Sequence, residues 1–207
     1  MRTHSKETQD TLTPDLALEI LKQGNDRFVG NLKANRNLLQ QVNETSAGQF
    51  PFAAILSCMD SRTSAELIFD QGLGDIFSIR VAGNVLNEDI LGSMEYATEV
   101  VGIKVVVVLG HTKCGAIIGA CNHVKLGNLT GLLQKIDPAI ELEKTTVTDR
   151  DGSNSSFVNN VTELNVHLTI ERIRQESILI RESELQKKIK IVGGVYDVDN
   201  GKVTFFD

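Results

Sequence analysis

The chain has 207 residues, 41% of them hydrophobic and 23% charged, with a net charge of −6. Those figures fit one globular domain with a substantial core. The negative charge and the absence of Trp argue against a grip on nucleic acid or an anionic membrane surface. No stretch approaches the ~20 consecutive apolar residues that cross a bilayer. Three cysteines cannot build a disulfide framework and fit a reducing compartment, where thiols serve chemistry. Met1–Thr13 is polar, with no hydrophobic leader core. The expected location is therefore the cytoplasm, or the periplasm if a leader has been removed.

Residues 1–12 read as a flexible start. Thr13-Pro14 reads as an N-cap followed by proline in the first helical turn. The helix it opens carries Ala17, Ile20, Leu21, Gly24 and Phe28 on one stripe. Residues 30–51 are polar and irregular, so 13–50 reads as a helical arm and linker. Phe52–Leu56 is a buried strand, Ala65–Phe69 a helix and Ile76–Val81 a second strand ending in Ala82-Gly83-Asn84. Ile90, Leu91, Met94, Ala97 and Val101 mark an amphipathic helix.

Val105–Leu109 is a third strand, followed by a helix from Gly115 and a short one around Leu129–Ile136. Asp149–Ser156 is turn chemistry, and a long helix follows from Val158. Ile189–Val192 is a strand, and Asp199-Asn200-Gly201 turns into Val203–Phe206. Strands alternate with helices and neither a repeat nor a linker divides them. The reading is one α/β domain over 1–207: four mostly parallel strands plus an antiparallel C-terminal strand, flanked by helices.

Two clusters carry the chemistry, Ser57-Cys58-Met59-Asp60-Ser61-Arg62 and Gly110-His111-Thr112-Lys113-Cys114-Gly115. Each follows an apolar strand, so Cys58 stands just past one strand end and His111 and Cys114 just past another. Open α/β sheets place their ligand sites there. Two thiolates and an imidazole suit Zn2+, and three protein ligands leave the fourth position open, as in catalytic zinc sites. The alternative is a buried free cysteine beside a satisfied histidine. Asp60 and Arg62 read as a carboxylate gripped by a guanidinium and kept ionised beside the metal, or else as a surface ion pair at a helix start. Cys121 lies about 10 Å from Cys114 along a helix and reads as core packing; His123 and His167 read as surface or satisfied histidines.

Cys-Met-Asp-Ser-Arg at 58–62 with His-Thr-Lys-Cys-Gly at 111–115 resembles the β-class carbonic anhydrases. Gly24–Phe28, Asp75–Asn84 and Gly193–Val203 fit the same pattern, so the resemblance covers the chain from Thr13 onward. It implies one zinc per chain on Cys58, His111 and Cys114, with Asp60 and Arg62 as the catalytic dyad. It further implies that Gln49 contacts substrate and that Phe77 and Ala82 line an apolar pocket. The activity it implies is reversible hydration of CO2 to bicarbonate and a proton by hydroxide generated at zinc.

Hydrolysis of a CO2 analogue such as carbonyl sulfide or carbon disulfide, or a noncatalytic zinc or thiol regulator, are the alternatives. Ile55 stands where bicarbonate-regulated members carry Trp, while Arg80 and Tyr196 match other positions of that regulatory site. The resemblance also implies that the N-terminal arm embraces a second copy, giving a homodimer or a multiple of dimers.

Overall fold

A computed structural model describes residues 3–206. Strands β1 (Ala53–Ser57), β2 (Ile76–Arg80), β3 (Val105–His111), β4 (Lys190–Tyr196) and β5 (Val203–Phe206) form one sheet. Their order is β2-β1-β3-β4-β5. The first four are mutually parallel and β5 runs antiparallel to β4, the α/β arrangement that the alternating pattern predicts. β1 and β3 are buried along their whole length because both faces of the sheet are covered. Ala53, Ile55, Val105, Val107 and Leu109 pack on one face; Ala54, Leu56, Val106 and Val108 pack on the other. This is the period-two division of a two-sided strand.

The helices are α1 (Lys6–Thr11), α2 (Pro14–Val29), α3 (Leu38–Thr45), α4 (Ala65–Ile68) and α5 (Glu88–Glu95). After β3 come α6 (Gly115–Cys121), α7 (Gly127–Leu133), α8 (Asp137–Leu142), α9 (Ser155–Glu176) and α10 (Ile178–Leu185). The stretch read as a flexible start thus holds a helix. A capping box of Ser5 and Thr8 opens α1, and the buried Gln9 donates to the Pro51 carbonyl at 2.7 Å. The polar stretch 30–51 likewise holds α3, capped by Asn37.

The stripe on α2 is buried against this chain's own sheet. Ala17 and Leu21 join the core with Ile55 and Val107, and Ile20 and Phe28 pack around them. Asn25 fixes the docking: its Nδ2 donates to the carbonyls of Ile68 (3.2 Å) and Gly201 (2.9 Å), and its Oδ1 accepts from Val203 N at 2.8 Å. The stripe is therefore not free to embrace a partner. The exposed large apolar residues of this region are Leu16, Val29, Leu32, Leu38, Leu39 and Val42.

Candidate metal centre

Cys58 follows the last residue of β1, and Ser57 lies opposite Leu109 of β3. From β1 the chain moves outward to β2, then crosses back to place β3 on the other side of β1. The two strand ends therefore flank a topological switch point, the crevice where open α/β sheets bind ligands. His111 is the last residue of β3 rather than the first beyond it, paired opposite Tyr196. The strand runs on through Gly110 because a side chain there would meet Val166 Cγ2 at 2.9 Å and Thr162 Cγ2 at 3.1 Å. Glycine lets β3 continue beneath α9. The turn from His111 to Cys114 passes through Lys113 at φ 56, whose Nζ pairs with Asp199 at 2.5 Å. Cys114 is the N-cap of α6.

These turns bring one donor atom each from Cys58, His111 and Cys114 within 4.8 Å of one another, all three residues buried. The two sulfurs are 3.9 Å apart. Two sulfurs each ~2.3 Å from a tetrahedral zinc would lie about 3.8 Å apart, so the pair fits that ion. His111 Nδ1 lies 2.9 Å from the Thr112 carbonyl, which accepts a hydrogen bond from Nδ1–H and leaves Nε2 as the acceptor. Nε2 is buried with no hydrogen-bond partner among the described residues. A buried imidazole nitrogen with no partner among the described residues, beside two thiols, makes a set that could hold a metal ion. Cys58 ionises well below the ordinary thiol range, chiefly because Cys114 donates to its sulfur; burial opposes this, and the backbone N–H groups of Asp60 and Gly83 add to it.

Asp60 and Arg62 form a bidentate pair at the mouth of the cluster. Arg62 donates Nε and its backbone N to Oδ1 (2.9 and 3.0 Å) and Nη2 to Oδ2 (2.7 Å). Arg62 holds the Asp60 carboxyl far below the usual carboxylate range, against the opposing effect of burial. Thr63 Oγ1 donates to the carbonyls of Cys58 (3.0 Å) and Asp60 (2.9 Å). Arg80 donates Nε to the Cys58 carbonyl (3.1 Å) and Nη2 to the Asp60 carbonyl (2.5 Å). The loop that carries ligand and carboxylate is thus fixed from two sides.

Residues 53–203 match the family model described as carbonic anhydrase. The fold superposes on the crystal structure of the β-carbonic anhydrase CafA of Aspergillus fumigatus with a TM-score of 0.70 and 25% identity, covering 82% of this chain and 81% of that one. The chain belongs to the β-carbonic anhydrase family. This carbonic anhydrase is 37% identical over 202 residues to carbonic anhydrase 2 of Mycobacterium tuberculosis, covering 94% of this chain and 93% of that protein. It is 33% identical to the carbonic anhydrase of Mycolicibacterium smegmatis, with 92% of each covered.

The remaining expected residues of the anhydrase fall outside the ligand cluster. Gln49 stands exposed on the loop between α3 and β1. Phe77 lies half-buried on the edge strand β2, where it lines a groove of about 690 Å³ with Glu88, Asp89 and Tyr96. Ala82 is half-buried in the turn after β2 and does not line that groove. Ile55 is wholly buried in the core, and Arg80 is committed to the Cys58 and Asp60 carbonyls. Cys121 is a buried free thiol outside the cluster, pushed up to about 11 by burial.

His123 is exposed, and His167 is stacked on Phe206 with centroids 4.9 Å apart. Thr63 and Gly83 bear on the site without having been singled out for it. Arg80 had a signal of a kind: it lies in register with Ser57, the residue before Cys58. Among the described residues no helix is long and apolar enough to cross a membrane.

Proposed function

We propose that this carbonic anhydrase hydrates CO2 reversibly to bicarbonate and a proton, with one zinc ion per chain on Cys58 Sγ, His111 Nε2 and Cys114 Sγ. The observation that supports the metal is the partnerless, buried Nε2 beside two sulfurs at zinc-like separation. When bound, zinc acidifies water and so supplies the nucleophile near neutral pH. Asp60 supplies orientation. Arg62 keeps it ionised throughout the working pH range, so it is always an acceptor.

A carboxylate held that low is a weak Brønsted base. Its part is to accept a hydrogen bond and aim the attacking oxygen at CO2; the released proton goes on to solvent and buffer. The lock of Thr63 and Arg80 on the loop keeps that aim fixed. A purely structural metal site would leave the Asp60–Arg62 pair without a task. Gln49, Phe77 and Ala82 serve substrate on this reading, as they do by position in the family pattern.

The enzyme assembles at least as a homodimer. Leu38 and Leu39, 57% and 72% exposed on α3, and Leu16, 50% exposed on α2, are the apolar surface that a second copy would cover. Its compartment is the cytoplasm, in keeping with three free cysteines.

Metal analysis and stopped-flow CO2 hydration on the same preparation test the reading. Wild-type protein carries about one zinc per chain and hydrates CO2, and Cys58→Ser loses both. Undiminished zinc in Cys58→Ser would overturn the ligand assignment. Zinc-loaded wild type without hydration would overturn the activity. A monomer at micromolar concentration by light scattering would overturn the assembly.

A further inference from the structure

Cys58 Sγ receives a hydrogen bond from outside its own loop. Gly83 N donates to it at 3.3 Å, from the tight turn Ala82–Asn84 that follows β2. Gly83 is at φ 66, ψ 16, the left-handed region that favours glycine. It is wedged so closely that a side chain would meet Ile136 Cδ1 at 3.0 Å and Ala116 Cβ at 3.3 Å. The carbonyl of Gly83 accepts from Asn165 Nδ2 at 3.0 Å, across 82 residues of sequence. Asn165 is 4% exposed, on the face of α9 that packs against the sheet.

An amide so buried is costly unless it is paired, and an apolar residue would fill the space without that cost. Thr162, one turn earlier on the same buried face, keeps its hydroxyl bond within α9, to the Val158 carbonyl at 2.8 Å. Asn165 instead reaches out of its helix to the residue whose N–H touches the sulfur.

We propose that Asn165 is a positioning residue for the metal centre: by gripping the Gly83 carbonyl it holds the Gly83 N–H on the Cys58 sulfur. The two peptide groups share the Gly83 Cα, so fixing one restrains the rotation of the other. A hydrogen bond to a thiolate draws charge from the sulfur and weakens its donation to a metal, leaving the ion a stronger acid. Asn165 thus offsets part of the neutralising effect of two thiolates from a helix that carries none of the ligands. The inference rests on the reading of Cys58 as a metal ligand.

Cobalt(II) in place of zinc gives a direct readout, the thiolate-to-cobalt charge-transfer band. In Asn165→Leu the sulfur becomes more electron-rich, so the band moves to longer wavelength. The midpoint of the hydration pH profile rises with it, because a more strongly donating sulfur leaves the ion a weaker acid. Asn165→Ala, free of any overpacking and suited to a helix interior, gives the same shift if the leucine variant does not fold. Thr162→Val disturbs the same face of α9 and leaves the band in place. A band at the wild-type wavelength in either folded Asn165 variant would overturn the inference. So would an equal shift in Thr162→Val, which would reduce Asn165 to helix packing. Cobalt-loaded wild type with no such band would instead overturn the reading of Cys58 as a ligand.

Discussion

Two acid–arginine pairs lie far apart in the sequence, Asp60 with Arg62 beside the Cys58–His111–Cys114 cluster and Glu143 with Arg150 after α8. Both carboxylates lie below their ordinary range. In Glu143 burial opposes the shift, and hydrogen bonds from Thr145, Thr146, Asn160 and Arg150 overcome it to bring the group to about 2. The difference lies in what remains open. Glu143 Oε1 accepts from the backbone N of Thr145 and of Thr146, from both their hydroxyls and from Asn160, and Oε2 accepts from Arg150. Its side chain is 1% exposed. Among the described residues Asp60 takes its side-chain hydrogen bonds from Arg62; its Oδ2, like Glu143 Oε2, has a single donor, but its side chain is 17% exposed. Residue type does not separate the two pairs; access of an unused lone pair to solvent does.

The sharpest way to break that contrast is to neutralise each acid in turn. Asp60→Asn should keep its zinc and its fold yet lose CO2 hydration by roughly 10²- to 10³-fold, because an amide presents a partial charge and a donor where an anionic acceptor is needed. Stopped-flow rates near wild type between about pH 7 and 9 would remove the role given to Asp60.

Glu143→Gln reverses the pattern. Hydration stays, while stability falls by about 1–3 kcal/mol as Arg150 loses its carboxylate and an amide N–H faces it. Urea midpoints measure this, and an inactive but fully stable variant would erase the distinction between the two regions.

Acid titration sharpens it further. The folded-state value of Glu143 is lowered from 4.5 to about 2. Its contribution to stability is therefore complete above pH ~4.5 and is lost as pH falls toward 2. Thermal midpoints across that window should fall less steeply in Glu143→Gln than in wild type, and parallel curves would contradict the assignment. The smallest effect belongs to Cys121→Ala, which touches neither pair. It should retain one zinc per chain and full hydration, at a cost of about 1 kcal/mol for the lost buried atom; a fall in zinc content would enlarge the ligand set.

Much of this arrangement is legible in the sequence because it rests on residue type and period. β-branched apolar runs such as Val105–Leu109 read as buried strands, and the chemistry of Cys58, His111 and Cys114 marks a set that could hold a metal. What is hidden depends on contacts with distant backbone. The period of α2 shows that a face is buried, yet the choice of its own sheet over a partner is made by Asn25 and its bonds to Ile68, Gly201 and Val203. α1 is polar, and its first turn is closed by Ser5 and Thr8 while Gln9 finds a carbonyl 42 residues away. Gly110 reads as a strand end because glycine is rare inside strands; only the proximity of α9 shows that the strand needs it to continue. Thr63, Arg80 and Asn165 all act on backbone carbonyls, and no side-chain pattern marks a carbonyl as a target.

The strand order has a consequence for how long the fold lasts. Cys58 and Cys114 are 56 residues apart and meet only across paired β1 and β3. An unfolded chain presents a cation with no more than the local His111–Cys114 pair, and closing so long a loop comes late in assembly. A metal on the full ligand set therefore binds the finished sheet and little of what precedes it. An interaction absent from the transition state leaves the rate of refolding nearly untouched and slows unfolding. Scarcity of the ion would let the chain fold at its usual pace and shorten its survival afterwards.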